Sequence, residues 1–571
     1  MLLALLLLAS SLALGLAAAA RVTEKNQLAY ALPIALAAGA WIVNLATLAL
    51  GFNETALYAA VAAQTILAAV LYRKTIFKHD KAVLCLLAVG LLAFAGLENA
   101  RMHYDAAGNL AGVPIDLGFH TAIITTLANG NQPPVNPFYD GHPLNYYYFT
   151  HSYSAALLVG GLNLETAAAL PPVLAGAAFL ALVYEFCRKR FPKRAPASLA
   201  GFAVLACILI LFNGTMAFEN LNYPFFHNQL RDSGFPFENI LIDFFIINFS
   251  AVLALTLAII ILKLILEKKT EAVWLTSLLP MINLPTFLIL LIPNLLEKIN
   301  IKKIMLPIGL AIVQVAVLLI QNAENFTPHL RLGWLSTEQN FASIAAFWLN
   351  NLGPYLVLSF IGLYWLKNKD ANRMWLALLP PVILANIFIF TPYAWDNFKF
   401  FLIFFIYTAI LSAYAITEMW RRGAPWRILA GALFVVMTLT GFLSVATLLE
   451  NSNTAIYTAA DLRACEWIQE NTPKDAVFLI DNEMHSCLPG IAGRRVYLGF
   501  GEWLTNHGID YSQQLVENER MLAGDCVLIK EKNVRYAYFT ANVKPTEELE
   551  AESTRIYEDN SHVILQICVT E

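Results

Sequence analysis

The sequence predicts an all-α polytopic membrane bundle of about 12–14 transmembrane helices, with extracytoplasmic juxtamembrane helices and a small C-terminal α/β domain. Three observations predict this fold class. Of the 571 residues, 58% are hydrophobic and only 14% are charged, whereas ordinary soluble domains carry about 25% charged residues. Apolar segments close to the ~20 residues that a helix needs to cross a bilayer recur before residue 450. After residue 450 the hydropathy changes to mixed apolar and charged sequence.

Long apolar segments are predicted to form the membrane helices. They are residues 1–20, 28–50, 55–72, 82–97, 167–187, 198–213, 244–265, 304–320, 352–366, 374–390, 399–419 and 428–449. Shorter stretches at 151–163, 272–282 and 284–296 are predicted as half-crossings or as parts of a closely spaced hairpin. The first segment lacks the positive n-region of a signal peptide, so we interpret it as a membrane helix.

Short loops rich in Lys and Arg predict the orientation of the bundle, because such loops face the cytoplasm. They lie at residues 73–81, 188–194, 263–269, 298–303, 367–373 and 421–427. The longer loops at 98–150, 214–243, 321–345 and 391–398 then face outward, together with the tail after residue 450. We therefore expect a multi-pass cell-membrane protein with a transmembrane domain at 1–450 and an extracytoplasmic domain at 451–571.

The tail has the alternating pattern of a small α/β domain. Residues 461–470 have helical spacing, and 511–522 form a polar, helix-like stretch. Strand-like runs are AVFLI, RRVYLG, VRYAYFT and HVILQICV. Cysteines at 465, 487, 526 and 568 predict either two disulfides, with three pairings possible, or four reduced side chains packed as small hydrophobes.

The first long outer loop contains a candidate acid–base pair. Asp116 and His120 are four residues apart in a predicted amphipathic helix at 116–127, so they share a face at the membrane–water boundary. The alternative interpretation makes Asp116 a helix N-terminal acid, stabilised by the helix dipole, and His120 its solvated neighbour.

Further polar and aromatic candidates follow in the same loop, in NPFYDGHPLNYYYF. Asp140 and His142 are predicted to bind substrate. Tyr146 and Tyr147 belong to a tyrosine triplet, which predicts either an interface belt or side chains that stack on a sugar ring or hydrogen-bond a phosphate.

Asp396 and Lys399 lie between two strong membrane segments, in WDNFK. The pair is either a local ion pair of little energetic value or part of a site, because charges at membrane depth usually serve function. Lys399 would neutralise a lipid-bound phosphate as a point charge. Arg231 lies in the polar loop at 214–243, which predicts either groups that hold a sugar or a pyrophosphate or an ordinary solvated loop.

Cofactor and partner predictions are few. The chain has no clustered Lys/Arg footprint for nucleic acid, and no CxxC spacing indicates zinc. No cofactor is predicted with certainty. A divalent ion, Mg²⁺ or Mn²⁺, could bridge Asp116 and Asp396, although no tight ligand spacing indicates one.

These features together resemble the GT-C superfamily of membrane glycosyltransferases, to which protein mannosyltransferases and oligosaccharyltransferases belong. The shared features are Asp116 on a juxtamembrane helix of the first outer loop, short basic inner loops, many helices and a terminal outer domain. More narrowly, IDLGFH, NPFYDGHPLNYYYF and WDNFKF look like an archaeal and bacterial membrane-protein family with a tyrosine triplet. The chain lacks the adjacent Asp-Glu pair of mannosyltransferases at this position and a WWD-type motif in its tail.

The resemblance implies an enzyme that moves a sugar from a polyprenyl-phosphate-linked donor to a glycan, protein or lipid acceptor on the extracytoplasmic face. Asp116 would be its catalytic residue. The predicted substrate-binding residues are His120, Asp140, His142, Tyr146, Tyr147, Arg231, Asp396 and Lys399. The main alternative is a transporter or flippase of lipid-linked glycans, in which these charges line a pathway. A noncatalytic membrane scaffold is a third hypothesis.

Overall fold

The computed structural model describes residues 1–72, 78–190, 196–216, 239–296, 301–321, 327–541 and 543–568. Helices make up most of the chain before residue 450. They are α1 (Leu2–Val22), α2 (Gln27–Leu50), α3 (Glu54–Leu71), α4 (Lys81–Arg101), α5 (Leu117–Ala128), α6 (Phe149–Val159), α7 (Leu164–Arg190), α8 (Pro196–Leu211), α9 (Phe249–Leu266), α10 (Glu271–Ser277), α11 (Leu284–Leu295), α12 (Ile301–Gln321), α13 (Phe341–Leu352), α14 (Tyr355–Leu366), α15 (Lys369–Ala385), α16 (Leu402–Arg421) and α17 (Ala424–Glu450). A π-helical turn (Leu241–Ile247) precedes α9, and a 3₁₀ helix (Ala394–Phe400) precedes α16.

Each apolar segment predicted from the sequence coincides with a helix or a pair of helices. Within the described residues, seven helices are long and apolar enough to cross a membrane, and up to eight if α13 and α14, bent by 79°, form one span. Polar side chains fix several helix starts. Asn53 and Asp80, for example, accept the backbone N–H groups of Ala56 and Ala82. The mostly helical membrane-type fold is confirmed, whereas the count of about 12–14 crossings stays a prediction.

A buried polar network joins the basic loops at one end of the bundle. Glu185, whose side chain is fully buried, contacts Lys189 at 2.7 Å and Arg188 at 3.1 Å. Its carboxylate also accepts a hydrogen bond of 2.7 Å from the Asn26 amide. Arg188 in turn pairs with Asp80. The turns after α1 and before α4 and the end of α7 therefore meet in one polar network.

Other basic segments extend this end of the bundle. The contacts are Lys263 Nζ to the Val22 carbonyl oxygen at 3.2 Å, Arg373 to the Leu296 carbonyl oxygen at 3.2 Å, and Arg422 over the Trp365 ring at 3.7 Å. We call the side of the bundle that carries the network and these contacts the basic end. Because it collects basic residues of several loops, it has the composition of a cytoplasmic face.

Helices α10 and α11 form a hairpin that starts and ends at the basic end. Asn294 donates a hydrogen bond of 2.9 Å to the Thr276 hydroxyl, which joins its two arms. At its tip, the Met281 carbonyl accepts the Phe149 backbone N–H at 3.1 Å. Of the two predictions made for this segment, the structure therefore shows the closely spaced hairpin.

Small sheets lie among the long loops. Strands β1 (Met102–Tyr104) and β2 (Leu110–Gly112) are antiparallel, and β2 also pairs with β5 (Thr454–Tyr457). Strands β3 (His329–Leu330) and β4 (Phe388–Ile389) form a second sheet. Since β5 follows α17 directly, the first outer loop and the start of the tail share one sheet.

The tail contains a five-stranded mixed sheet. Its strands are β6 (Val477–Leu479), β7 (Arg495–Val496), β8 (Tyr536–Thr540), β9 (Thr554–Glu558) and β10 (His562–Gln566), in the order β7-β6-β8-β10-β9. The helices are α18 (Ala459–Asn471), α19 (Gly501–Asn506), α20 (Ser512–Leu522), α21 (Cys526–Glu531) and α22 (Glu547–Ala551). All four predicted strand runs contain a strand, and β9 was not predicted.

The four tail cysteines form two disulfides, Cys465–Cys487 and Cys526–Cys568. The first joins α18 to the segment at 488–492, which packs against α5. The prediction of four reduced cysteines is therefore wrong.

Candidate functional site

The helix that follows Asp116 is buried rather than amphipathic. All residues from Leu117 to Leu127 are buried, because the tail covers the helix from one side and α6 packs on another. Thr125 donates a hydrogen bond of 2.6 Å to the Pro489 carbonyl, and the Asn129 amide donates to the Ala492 carbonyl at 3.1 Å. The prediction that this helix is amphipathic is therefore wrong, and its position in the membrane plane stays a prediction.

Asp116 itself lies at the edge of this packed region and is partly exposed. It precedes α5 with φ of 52°, in the left-handed region, and its side chain makes no capping hydrogen bond to the helix. Non-glycine residues rarely adopt this conformation, although Asp tolerates it better than most. One carboxylate oxygen accepts the indole N–H of Trp503, in the tail, at 3.2 Å. The carboxylate is thus held by the tail and does not serve as a simple helix cap.

His120 lies on the same helix but is nearly fully buried. Its Nδ1 contacts Nε2 of His151 in α6 at 2.9 Å, and the two rings stack at 5.1 Å. The solvated His120 of the alternative interpretation is therefore wrong. Its predicted role in substrate binding stays a prediction, and its burial favours a supporting role beneath Asp116.

Tyr146 and Tyr147 form an aromatic wall near Asp116. Their rings stack at 4.3 Å. Tyr146 also meets Phe119 of α5 edge to face at 5.1 Å and His507 of the tail at 5.6 Å. The aromatic side chains of the first outer loop and of the tail therefore pack into one cluster.

Asp396 and Lys399 lie in the 3₁₀ helix before α16, where their side chains form an ion pair of 2.7 Å. Burial lowers the pKa of Lys399, but the charge and hydrogen bond of Asp396, together with Tyr147 and Asp116, outweigh this effect. The net pKa of Lys399 lies above its ordinary value, so the ammonium stays charged. Its interaction with Asp116 places these two remote residues in one electrostatic neighbourhood.

We call Asp116, Tyr146, Tyr147, Asp396, Lys399 and His507 the outer cluster. It combines carboxylates, an ammonium group, an imidazole and stacked phenol rings. Such a set can accept a proton, neutralise a phosphate and stack against a sugar ring.

Two predicted site residues take part in other contacts. Asp140 pairs with Arg495 of the tail, and the neighbouring Tyr139 forms a β-bridge with Leu498. The ring of His142 contacts the Pro143 carbonyl oxygen at 2.8 Å in an exposed turn. Asp140 therefore joins the loop to the tail, and the roles of both residues in substrate binding stay predictions. Arg231 lies outside the described residues.

Sequence reasoning missed the contribution of the tail. Trp503 and His507 belong to no motif that we recognised, and their place in the site follows only from packing. His485 was also missed. Among the described residues, its two ring nitrogens are buried without a hydrogen-bond partner, and burial lowers its pKa to about 4.

The described part of the chain contains no group of three or more His, Cys, Asp or Glu side chains placed to hold a metal ion. The bridging metal considered for Asp116 and Asp396 thus gains no support from the geometry.

Comparison with protein-family models gives no match for this chain, and comparison with curated proteins gives none either. The resemblance to GT-C enzymes therefore depends on the layout and the short motifs described above. Family membership stays a prediction, and function has to be argued from the outer cluster.

Proposed function

We propose that this protein is a GT-C-type membrane glycosyltransferase, which moves a sugar from a polyprenyl-phosphate-linked donor to an acceptor on the extracytoplasmic face of the cell membrane. The observation that carries the proposal is the electrostatic coupling of Lys399 to Asp116 near the stacked rings of Tyr146 and Tyr147. Asp116 and Lys399 are remote in the chain, yet the Asp116 carboxylate adds to the raised pKa of Lys399. A carboxylate and a lasting positive charge in one site suit a reaction that deprotonates a hydroxyl and releases a phosphate.

The position of the cluster supports this proposal. Helix α16 has 20 residues and runs from the 3₁₀ helix of Lys399 to the basic end, so the two ends are about 30 Å apart. This distance matches the ~30 Å thickness of the hydrocarbon core. With the basic end in the cytoplasm, the outer cluster lies at the opposite membrane face.

The same orientation gives a complete topology. We propose about twelve crossings, formed by α1–α4, α7, α8, α9, α12, α14, α15, α16 and α17, whereas α5, α6 and the α10–α11 hairpin do not cross. Both chain ends then lie outside the cytoplasm. The two tail disulfides are consistent with that compartment, since disulfides persist in oxidising surroundings.

In the proposed reaction, an acceptor hydroxyl attacks the anomeric carbon of the donor with inversion. Asp116 accepts the hydroxyl proton or orients the hydroxyl for attack, and general-base assistance typically contributes about 10²–10⁴-fold in rate. Lys399 stabilises the departing lipid phosphate, as a fixed charge does in a water-poor site. Asp396 holds Lys399 in place, and Tyr146 and Tyr147 offer ring faces for the sugar.

The test is sugar transfer by the purified protein in proteoliposomes, supplied with undecaprenyl-phosphate and dolichyl-phosphate hexoses. We expect Asp116→Asn to lower turnover by about 10²–10⁴-fold. Asp105→Asn is the matched control, because Asp105 lies in the same loop and caps the β1–β2 turn. Wild-type turnover by a normally inserted Asp116→Asn protein would refute the assignment. Assays in EDTA would show whether Mg²⁺ or Mn²⁺ takes part.

A flippase of lipid-linked glycans is the second candidate. The observation in its favour is the pair of interrupted elements, the bent α13–α14 pair and the α10–α11 hairpin, because transporters often contain broken helices. Flux of the lipid-linked sugar across proteoliposomes without a covalent product would favour this function over transfer.

A further inference from the structure

We infer that Nε2 of His507 takes the proton from the acceptor hydroxyl, so that the C-terminal tail supplies a catalytic residue to the membrane domain. This inference rests on the proposed function and specifies its acid–base group. Asp116 then orients the hydroxyl and stabilises the protonated imidazole.

The tautomer of His507 is set by the backbone. Its Nδ1 lies 2.5 Å from the Trp503 carbonyl oxygen, which can only accept a hydrogen bond, so Nδ1 carries the proton. The lone pair of a neutral imidazole is then on Nε2. Nε2 makes no hydrogen bond to any residue that the structure describes, so its lone pair is available to a substrate.

The ring is held from several sides. It stacks on Phe119 with centroids 5.1 Å apart and an interplanar angle of 15°. Tyr146 meets it edge on at 5.6 Å. The Asn145 amide donates a hydrogen bond of 3.1 Å to the His507 carbonyl. Contacts from α5 and from the tyrosine segment thus fix the orientation that a general base needs.

Trp503 links the two acid–base groups. Its indole N–H donates to Asp116, and its carbonyl accepts from His507. One residue of α19 therefore positions the carboxylate and the imidazole together.

The charges around His507 suit a base that works near neutral pH. Burial lowers its pKa, the hydrogen bond to Trp503 and the carboxylates of Asp396 and Asp116 oppose the shift, and Lys399 adds to it. The net pKa lies below the ordinary value, so the imidazole is neutral at physiological pH. Once it gains a proton, the two carboxylates stabilise the cation.

The step balances within the site. The acceptor oxygen forms a bond to the anomeric carbon while its proton moves to Nε2. The bond from the anomeric carbon to the phosphate oxygen breaks, and its electron pair stays on the lipid phosphate beside Lys399. The imidazolium then gives its proton to that phosphate or to water, which regenerates neutral His507.

The decisive variant is His507→Gln, assayed for transfer with undecaprenyl-phosphate and dolichyl-phosphate hexoses. We expect kcat to fall by about 10²–10⁴-fold at neutral pH. In the wild type, kcat should fall as the pH drops through the lowered pKa of His507, and this acidic limb should be missing in the variant. Added imidazole should restore part of the activity of His507→Ala.

His103→Gln is the matched control. His103 makes the same kind of contact, from Nδ1 to the Asn99 carbonyl at 3.0 Å, but it lies on β1, outside the outer cluster. Its activity and pH profile should match those of the wild type.

A chemical probe tests the inference without turnover. Diethyl pyrocarbonate should modify His507 in the intact protein in liposomes much faster than it modifies His485, whose ring nitrogens are buried. Undecaprenyl phosphate should protect His507. Absence of labelling or of protection overturns the inference even if no sugar is transferred.

The two proposals fail in different ways. If Asp116→Asn is inactive but His507→Gln keeps wild-type turnover and its acidic limb, the role of His507 is refuted and the glycosyltransferase proposal stands. If both variants keep wild-type turnover, both assignments are refuted.

Discussion

The basic end and the outer cluster both concentrate charge at an edge of the bundle, but they use it differently. At the basic end, the Glu185 carboxylate is fully buried and receives Asn26, Arg188 and Lys189. In the outer cluster, the side chains of Asp396 and Lys399 remain 25% and 15% exposed. The Glu185 carboxylate of the basic end is surrounded by its protein partners. Asp396 and Lys399 of the outer cluster instead keep charged atoms at a surface that a ligand can contact.

This difference separates stability from function. Closed buried networks are costly to break, because each partner loses its compensation. Partly exposed charges contribute little to the free energy of folding. They can nevertheless stabilise charge that develops on a bound substrate. We therefore expect substitutions at the basic end to affect mainly stability, and those in the outer cluster mainly turnover.

The largest expected effect on stability is at Glu185. Glu185→Ala should lower the free energy of unfolding by about 3 kcal/mol, at the lower end for a broken buried pair, because Arg188 and Lys189 keep 30% and 34% exposure. Equilibrium unfolding in mixed micelles measures it. Glu267→Ala, at the same end but 24% exposed, should cost less than about 1 kcal/mol. Equal losses of unfolding free energy for the two variants would contradict the special role of the buried Glu185 carboxylate.

An effect of comparable size, expressed in rate rather than in stability, is expected at Lys399. Lys399→Met should lower kcat by about 10²–10³-fold, since it removes the fixed charge at the leaving phosphate, and should leave the unfolding free energy nearly unchanged. Lys399→Arg keeps the charge and should retain more turnover than the Met variant. If Lys399→Met lost stability and kept its rate, the ion pair with Asp396 would be structural.

The smallest effect is expected at Asp140. Asp140→Asn weakens a partly exposed ion pair to Arg495, so it should cost less than about 1 kcal/mol and leave the transfer rate close to that of the wild type. Unfolding and transfer assays on Asp140→Asn, Arg495→Gln and the double variant measure both. A tenfold loss of rate for Asp140→Asn alone would contradict this expectation. It would support the predicted role of Asp140 in substrate binding.

The sequence predicts the helices and strands of this fold better than it predicts which of them pack against each other. Helices that can cross a bilayer need long apolar runs, so helices such as α2 and α16 could be located from hydropathy alone. Strands β6, β8 and β10 could be located because short apolar runs between turn residues favour strands. Strand β9, with the sequence TRIYE, is rich in charge and lies at a sheet edge, so its pattern does not distinguish it from a loop.

The candidate site could be predicted only in part. Asp116 and Lys399 were found because intramembrane and juxtamembrane charges are rare and therefore informative. His507 carries no such signal, since a histidine in a polar tail is ordinary. The burial of His120 could not be foreseen either, because its ring packs against His151 of α6, which lies 31 residues further along the chain.

The pairing of β2 with β5 has a consequence for biosynthesis. A ribosome delivers Asp116 early, but strand β5, which pairs with β2, and Trp503, which donates a hydrogen bond to Asp116, are synthesised only after helices α1–α17. Contacts between such distant segments form late, because the intervening chain must first be closed into a loop. Nascent chains thus carry an unassembled outer cluster, which can be completed only after the residues up to His507 have been synthesised.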